Sequence, residues 1–222
     1  VIDGSGSMYS RYCSAEPITV AMSLGIYFAE HNKGAFANHF ITFSENPQFV
    51  DFSKCGSLHD KLRTALSHNE IANTNIEKVF YMILTTAVVN KMTQEDLPKN
   101  ILIISDMEFD ACATSGEIVP RDRRYGYYWG TPRVAPTQTL FDTIAKRYAE
   151  YGYQMPRLVF WNVNSRTGTI PVKENALGVT LVSGFSVNVV KMVMSGKTDP
   201  FECLLETLND ERYDPVEKAL RG

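Results

Sequence analysis

The stretch Lys99-Asn100-Ile101-Leu102-Ile103-Ile104-Ser105 constrains the fold of this chain more than any other. A strand with one face in water alternates apolar and polar residues, and this run does not. Both of its faces must be covered, which places it in the middle of a parallel sheet with helices packed on either side. The run ends in Ser105 and Asp106, so the covered strand delivers a carboxylate at its carboxyl end.

The surrounding segments supply the covering layers. Pro17 to His31 begins with a proline suited to a first helical turn. It carries Ile18, Val20, Ala21, Met22, Leu24, Ile26, Phe28 and Ala29 around most of its circumference, which predicts a helix buried on nearly all sides. His39 to Phe43 and Gln48 to Phe52 read as the strands of a hairpin across the turn-rich Ser44-Glu45-Asn46-Pro47. Leu58 to Leu66, begun by Ser57, reads as a short helix, and Ile76 to Lys91 as a longer one with Val79, Ile83, Ala87 and Val88 on a stripe. Thr139 to Tyr151 is a further predicted helix, with strands at Arg157 to Val163 and Leu177 to Val182. Helices near Val187 to Met194, Pro200 to Leu208 and Pro215 to Leu220 close the chain. Strands alternating with helices predict an α/β, doubly wound fold. At 222 residues with 44% hydrophobic content, one domain over residues 1–222 is expected, with an insertion at about residues 110–136. The opening Val1-Ile2 lies inside a strand, so the domain is expected to be excised from a longer protein.

A net charge of -3 argues against a surface given over wholly to nucleic acid or membrane, although a local basic patch is compatible with it. No apolar segment approaches the roughly 18 residues of a membrane span, so no membrane association is expected. Cys13, Cys55, Cys112 and Cys203 have no paired metal-ligand spacing and read as free thiols in a reducing compartment, hence a cytoplasmic protein. The histidines His31, His39, His59 and His68 likewise show no zinc spacing.

The chemistry concentrates in Asp3-Gly4-Ser5-Gly6-Ser7, where one carboxylate and two hydroxyls alternate with glycines that let the backbone turn tightly. Two readings fit these residues. Ser5 or Ser7 caps a following helix, or the oxygens serve a hard divalent cation, which takes oxygen ligands at roughly 2.0–2.1 Å in near-octahedral array. In open α/β sheets, ligands bind beyond the carboxyl ends of the strands where the strand order reverses. Asp3 ends the first strand and Asp106 the central run, so strands adjacent at that point would aim both carboxylates into one crevice. The polar loop Ala72-Asn73-Thr74-Asn75 opens a helix and offers a third hydroxyl, that of Thr74.

Asp3-Gly4-Ser5-Gly6-Ser7, then Thr74, then Asp106 resembles the metal-ion-dependent adhesion site of von Willebrand factor A domains. The match holds in type, order and approximate spacing. The resemblance implies a Rossmann-like, mostly parallel central sheet with helices on both faces and one antiparallel edge strand, for which the His39–Phe52 hairpin is suited. Ile103-Ile104-Ser105-Asp106-Met107-Glu108-Phe109-Asp110 and Leu158-Val159-Phe160-Trp161-Asn162-Val163-Asn164 narrow it to the von Willebrand A portion of proteins related to the Ro ribonucleoprotein autoantigen, in which a ring of helical repeats precedes this domain and binds small RNAs. Gly4 and Met107 depart from common family residues, and neither is a ligand position.

The resemblance implies that Ser5, Ser7 and Thr74 coordinate a Mg2+ ion, with Mn2+ or Ca2+ as substitutes, directly or through water, while Asp3 and Asp106 supply charge. Two carboxylates facing a dication leave it electrophilic, so an acidic side chain from a protein partner completes its shell. This is noncatalytic recognition. The rivals are a metal-dependent phosphohydrolase and a metal-independent RNA contact. An aspartate-nucleophile phosphatase needs a second acid two residues after the nucleophile, where this chain has Ser5, and no phosphate-binding Gly-rich lysine loop is present. The RNA contact would use the insertion, where Arg121, Arg123 and Arg124 interleave with Tyr127 and Trp129. Guanidinium groups pair with phosphates and rings stack on bases, but the bland reading of a solvated surface insertion is favoured there. The same residues are the candidates for partner specificity.

Overall fold

The structure is a computed structural model and describes residues 1–10, 16–68, 75–106, 138–164, 179–184, 187–195 and 200–221. A six-stranded sheet is its frame, with strand order β3-β2-β1-β4-β5-β6. The strands are β1 (Ile2–Asp3), β2 (His39–Phe43), β3 (Phe49–Asp51), β4 (Asn100–Ser105), β5 (Arg157–Asn162) and β6 (Val179–Ser183). β1 runs parallel to both β2 and β4, and β4 runs parallel to β5. β3 folds back on β2 as an antiparallel edge, pairing His39 with Asp51 and Ile41 with Phe49. This is the doubly wound, mostly parallel α/β sheet with one antiparallel edge strand that the sequence leads one to expect. β4 sits between β1 and β5, as its unbroken apolar run requires.

Alternation along the strands divides the core between two faces. Ile41 and Phe43 of β2, Ile101 and Ile103 of β4, and Leu158 and Phe160 of β5 pack with the helices α3 (Ile76–Val89) and α4 (Gln138–Glu150). From α3 come Ile76, Val79, Phe80, Ile83, Leu84 and Ala87, and from α4 Leu140, Phe141, Ile144 and Tyr148. The other face receives α1 (Pro17–His31), where Phe28 meets Trp161 edge-on with ring centroids 5.9 Å apart. Gly25 of α1 lies directly over Ile2, so the helix and β1 approach more closely than any side chain there would allow. The helix α2 (Leu58–Ser67) is tied to α1 by the Lys61–Glu30 ion pair, and its N-cap Ser57 accepts the amide of Asp60.

Two helical expectations are corrected. α1 is not buried on all sides: Ile18, Ala21, Met22, Gly25, Ile26 and Ala29 are covered, whereas Thr19, Ser23, Tyr27 and Glu30 form an exposed line and Val20, Leu24 and Phe28 are half-buried. The sheet covers one arc of the helix and leaves the opposite arc largely to solvent. Val88 leaves the predicted stripe of α3 and is 37% exposed, because the stripe that meets the sheet runs through Val79, Phe80, Ile83, Leu84 and Ala87.

The chain divides into two compact units, Val1–Val182 and Ser183–Gly222. The second holds α5 (Val187–Ser195), α6 (Pro200–Leu208) and α7 (Asp214–Arg221), with a 3-10 turn at Glu211–Tyr213 in which Asp210 accepts the amide of Arg212. No described helix is long and apolar enough to cross a membrane.

Candidate metal centre

The strand order reverses between β1 and β4, and Asp3, Ser5, Ser7 and Asp106 lie on the chain at the carboxyl ends of those two strands. Ile2 pairs with Ile104, which sets Asp3 beside Ser105 and puts Asp106 one residue further along the neighbouring strand. Asp3 and Asp106 are both buried, at 1% and 0% exposure. After Asp3 the chain makes a tight return in which the Ser5 amide donates to Asp3 Oδ1 at 2.8 Å. A short 3-10 turn, Gly6–Tyr9, follows.

Ser5 occupies the N-cap position of that turn, yet its side chain makes no capping hydrogen bond. Its hydroxyl lies 3.1 Å from that of Ser7 instead. This removes the capping reading for Ser5. Both serines are half-buried, so two hydroxyls form a rim that opens to solvent above a fully covered carboxylate.

Burial pushes the carboxyl of Asp3 up from its ordinary range, and hydrogen bonds from Ser105 and from the amide and hydroxyl of Ser5 oppose the shift without cancelling it. The Ser105 hydroxyl donates to Asp3 Oδ2 at 2.5 Å. Among the described residues, the donors that meet this buried charge are hydroxyls and an amide. Ser105 was not among the residues singled out in the sequence. The available signal was a lone polar residue at the end of an otherwise apolar strand. Ser44 was passed over in the same way: it is 1% exposed at the carboxyl end of β2, beside Asp3, which pairs with Phe43.

Asn75, the residue after Thr74, lies at the same end of the sheet. The Asn75 amide donates to the Ser44 carbonyl at 3.3 Å, and the Asn75 side chain caps α3 by accepting the Lys78 amide at 3.0 Å. Thr74 itself lies outside the described residues, as do Arg121, Arg123, Arg124, Tyr127 and Trp129. Cys55 is a free thiol; Cys13 and Cys112 also lie outside.

This donor set suits a hard cation. Carboxylate and hydroxyl oxygens are the ligands Mg2+ accepts while keeping several waters, and a dication would supply the positive charge that hydroxyl and amide donors only partly provide to Asp3. Among the described residues, no three or more His, Cys, Asp or Glu side chains gather into a metal-holding group. The described candidates, two carboxylates and two hydroxyls, are oxygen donors of the kind a hard cation takes.

Comparison with known proteins agrees with the fold. The crystal structure of the Deinococcus radiodurans RO (RSR) protein matches with a TM-score of 0.54 at 15% identity, covering 88% of this chain and 33% of that one. At that identity the likeness is one of fold. An uncharacterized protein of Acanthamoeba polyphaga mimivirus is 28% identical over 218 residues, which is 97% of this chain and 34% of the relative. The chain thus spans about a third of the length of each. Over residues 1–219 the sequence matches the family described as Domain of unknown function (DUF7788), and the chain belongs to that family.

Proposed function

We propose that this domain is a noncatalytic binding module that holds a divalent cation, Mg2+ by preference, and uses it to recognise an acidic group of a protein partner. The observation that carries the reading is the union of Asp3, Ser5 and Ser7 with Asp106 at the carboxyl ends of adjacent strands where the strand order reverses. Thr74, joined in the chain to Asn75 at the same edge, is the fifth proposed ligand. A buried carboxylate met by neutral donors attracts a cation, and a half-open rim of hydroxyls gives a partner's carboxylate access to it. The resemblance of the motif set to Ro-related proteins supports a setting in an RNA–protein complex, reached through the parent protein. The absence of a second acid two residues after Asp3 counts against phosphohydrolase chemistry.

The test is isothermal calorimetry with Mg2+ and with Mn2+ on the wild type and on Asp3→Ala, followed by titration of a short peptide bearing a single glutamate. The expected result is metal binding by the wild type alone and peptide binding that disappears with chelator. Peptide binding that survives chelation would overturn the shared-cation mechanism, and phosphate release from an aryl phosphate that depends on Asp3 would overturn the noncatalytic one.

A further inference from the structure

α3 and α4 lie side by side on the sheet, and their outward sides leave a groove of about 610 Å³ between them. On α3 it is lined by Tyr81, Leu84, Val88 and Val89, which stand at i, i+3, i+7 and i+8 and so form one stripe over two turns. Eight residue steps of helix make it about 12 Å long. Leu84 is its covered floor at 4% exposure, whereas Val89 is 72% exposed. The α4 side brings charge. Arg147 donates to Glu150 at 2.9 Å and lies over the Tyr151 ring at 5.8 Å, so these two opposite charges offset each other. Lys146 lines the same side, is exposed, and has no ion-pair partner among the described residues. The nearest acid of α3, Glu77, sits one turn before Tyr81 and is engaged by that residue's hydroxyl. An apolar trough two helical turns long therefore carries one uncompensated positive charge on its rim.

We propose that the α3–α4 groove is a docking site for an amphipathic, acidic helix of a protein partner, whose apolar stripe lies on Leu84, Val88 and Val89 and whose carboxylates meet Lys146. The length and shape suit a helix laid between two others, with anchors repeating at i, i+3, i+4 and i+7. Charge selects among helices. A basic one would bring like charge to Lys146, and a twofold contact between two copies of this groove would set Lys146 in the same interface as its own counterpart. The site is independent of the cation reading, since none of the proposed metal ligands lines it.

The experiment is fluorescence anisotropy in chelator with a labelled helical peptide of about 14 residues. The peptide is built of leucine, alanine and glutamate, with leucines at the anchor spacing, and a counterpart carries lysine in place of every glutamate. Val89→Asp and Lys146→Glu alter exposed side chains, so both variants are expected to melt within about 2 °C of the wild type. The wild type is expected to bind the glutamate peptide in preference to the lysine peptide. Val89→Asp is expected to weaken that binding about tenfold. Lys146→Glu is expected to weaken it about fivefold and to strengthen binding of the lysine peptide. A wild type that binds neither peptide, or both equally, would overturn the proposal, as would a preference unchanged by Lys146→Glu or an affinity unchanged by Val89→Asp. A wild-type dimer in sedimentation that dissociates in Val89→Asp would assign the groove to a second copy and overturn it as well. Because chelator is present throughout, failure here leaves the cation reading standing, and failure of the cation reading leaves the groove.

Discussion

Replacing Ser105 by alanine removes the hydroxyl that donates to Asp3 Oδ2 at 2.5 Å and leaves the Ser5 amide, at 2.8 Å, as the strongest donor to that carboxylate. Asp3 and Ser105 are 1% and 0% exposed, so water does not readily take the place of the lost group. A hydrogen bond to a charged group contributes about 1.5–3 kcal/mol, which for a chain of 222 residues lowers the melting temperature by about 3–12 °C. The effect has a pH signature. Burial raises the Asp3 carboxyl in the folded state, so the native protein holds the proton more tightly than the unfolded chain and loses stability as pH rises through that raised value. Removing the Ser105 donor raises the folded value further. The penalty is therefore small where Asp3 is protonated in both proteins, grows as pH rises through the two folded-state values, and levels off above them. Urea unfolding in chelator at a series of pH values from about 4 to about 8 measures it. A penalty of the same size across the series, or one below about 0.5 kcal/mol throughout, would refute the account of Asp3 as a buried charge held by Ser105.

Three further outcomes follow from the same geometry. Asp3→Asn keeps an acceptor for the Ser5 amide and removes the buried charge, so in chelator at neutral pH its melting temperature equals or exceeds that of the wild type; at free Mg2+ a hundredfold above its dissociation constant the wild type gains about 2.7 kcal/mol and the variant gains nothing, and a wild type indifferent to Mg2+ in a thermal melt would count against the site. Gly25→Ala puts a Cβ 2.6 Å from Cγ1 of the buried Ile2, which costs about 1–3 kcal/mol by denaturant unfolding; Ile2→Val in the same chain recovers part of it, and full stability of the single variant would show that α1 can retreat from β1. Tyr148→Phe deletes a buried hydroxyl that donates to the Phe80 carbonyl at 2.8 Å between α4 and α3, with an expected loss of about 0.5–1.5 kcal/mol in urea unfolding and no change in Mg2+ binding.

What could be read from the sequence was whatever depends on a single segment. The unbroken run through Ile101 and Ile104 identifies a central strand because its own composition denies it a wet face, and the hairpin at Ser44-Glu45-Asn46-Pro47 declares itself through its turn residues. The two aspartates could be placed at strand ends for the same reason. What could not be read is register. Nothing local tells that Ile2 stands opposite Ile104, and it is this pairing that brings Ser105 onto Asp3. The exposed side of α1 was hidden for a related reason: Val20, Leu24 and Phe28 are as apolar as the residues that face the sheet, and only the placement of the helix over Ile2 and Trp161 decides which arc is covered. Likewise the hydrogen bonds from Lys78 to Asn46 and Glu45 join residues 32 and 33 positions apart, and periodicity carries no trace of them.

Asp3 bears on function because the fold does not require a carboxylate there. A neutral residue able to accept the Ser5 amide would close the same turn, and it would do so without the penalty that burial imposes on a charge. The carboxylate is instead set at the base of a crevice with its proton affinity raised, two hydroxyls half-open to solvent above it and a second buried acid on the adjacent strand. Burial raises the affinity of Asp3 for a positive partner, whether proton or metal ion. A proton satisfies one acid at a time; a dication satisfies both and still has room for hydroxyls and water. On the cation reading proposed above, the raised carboxyl of Asp3 and the hydroxyl rim are two consequences of one arrangement, in which local stability would be given up for cation affinity at the point where the strand order reverses.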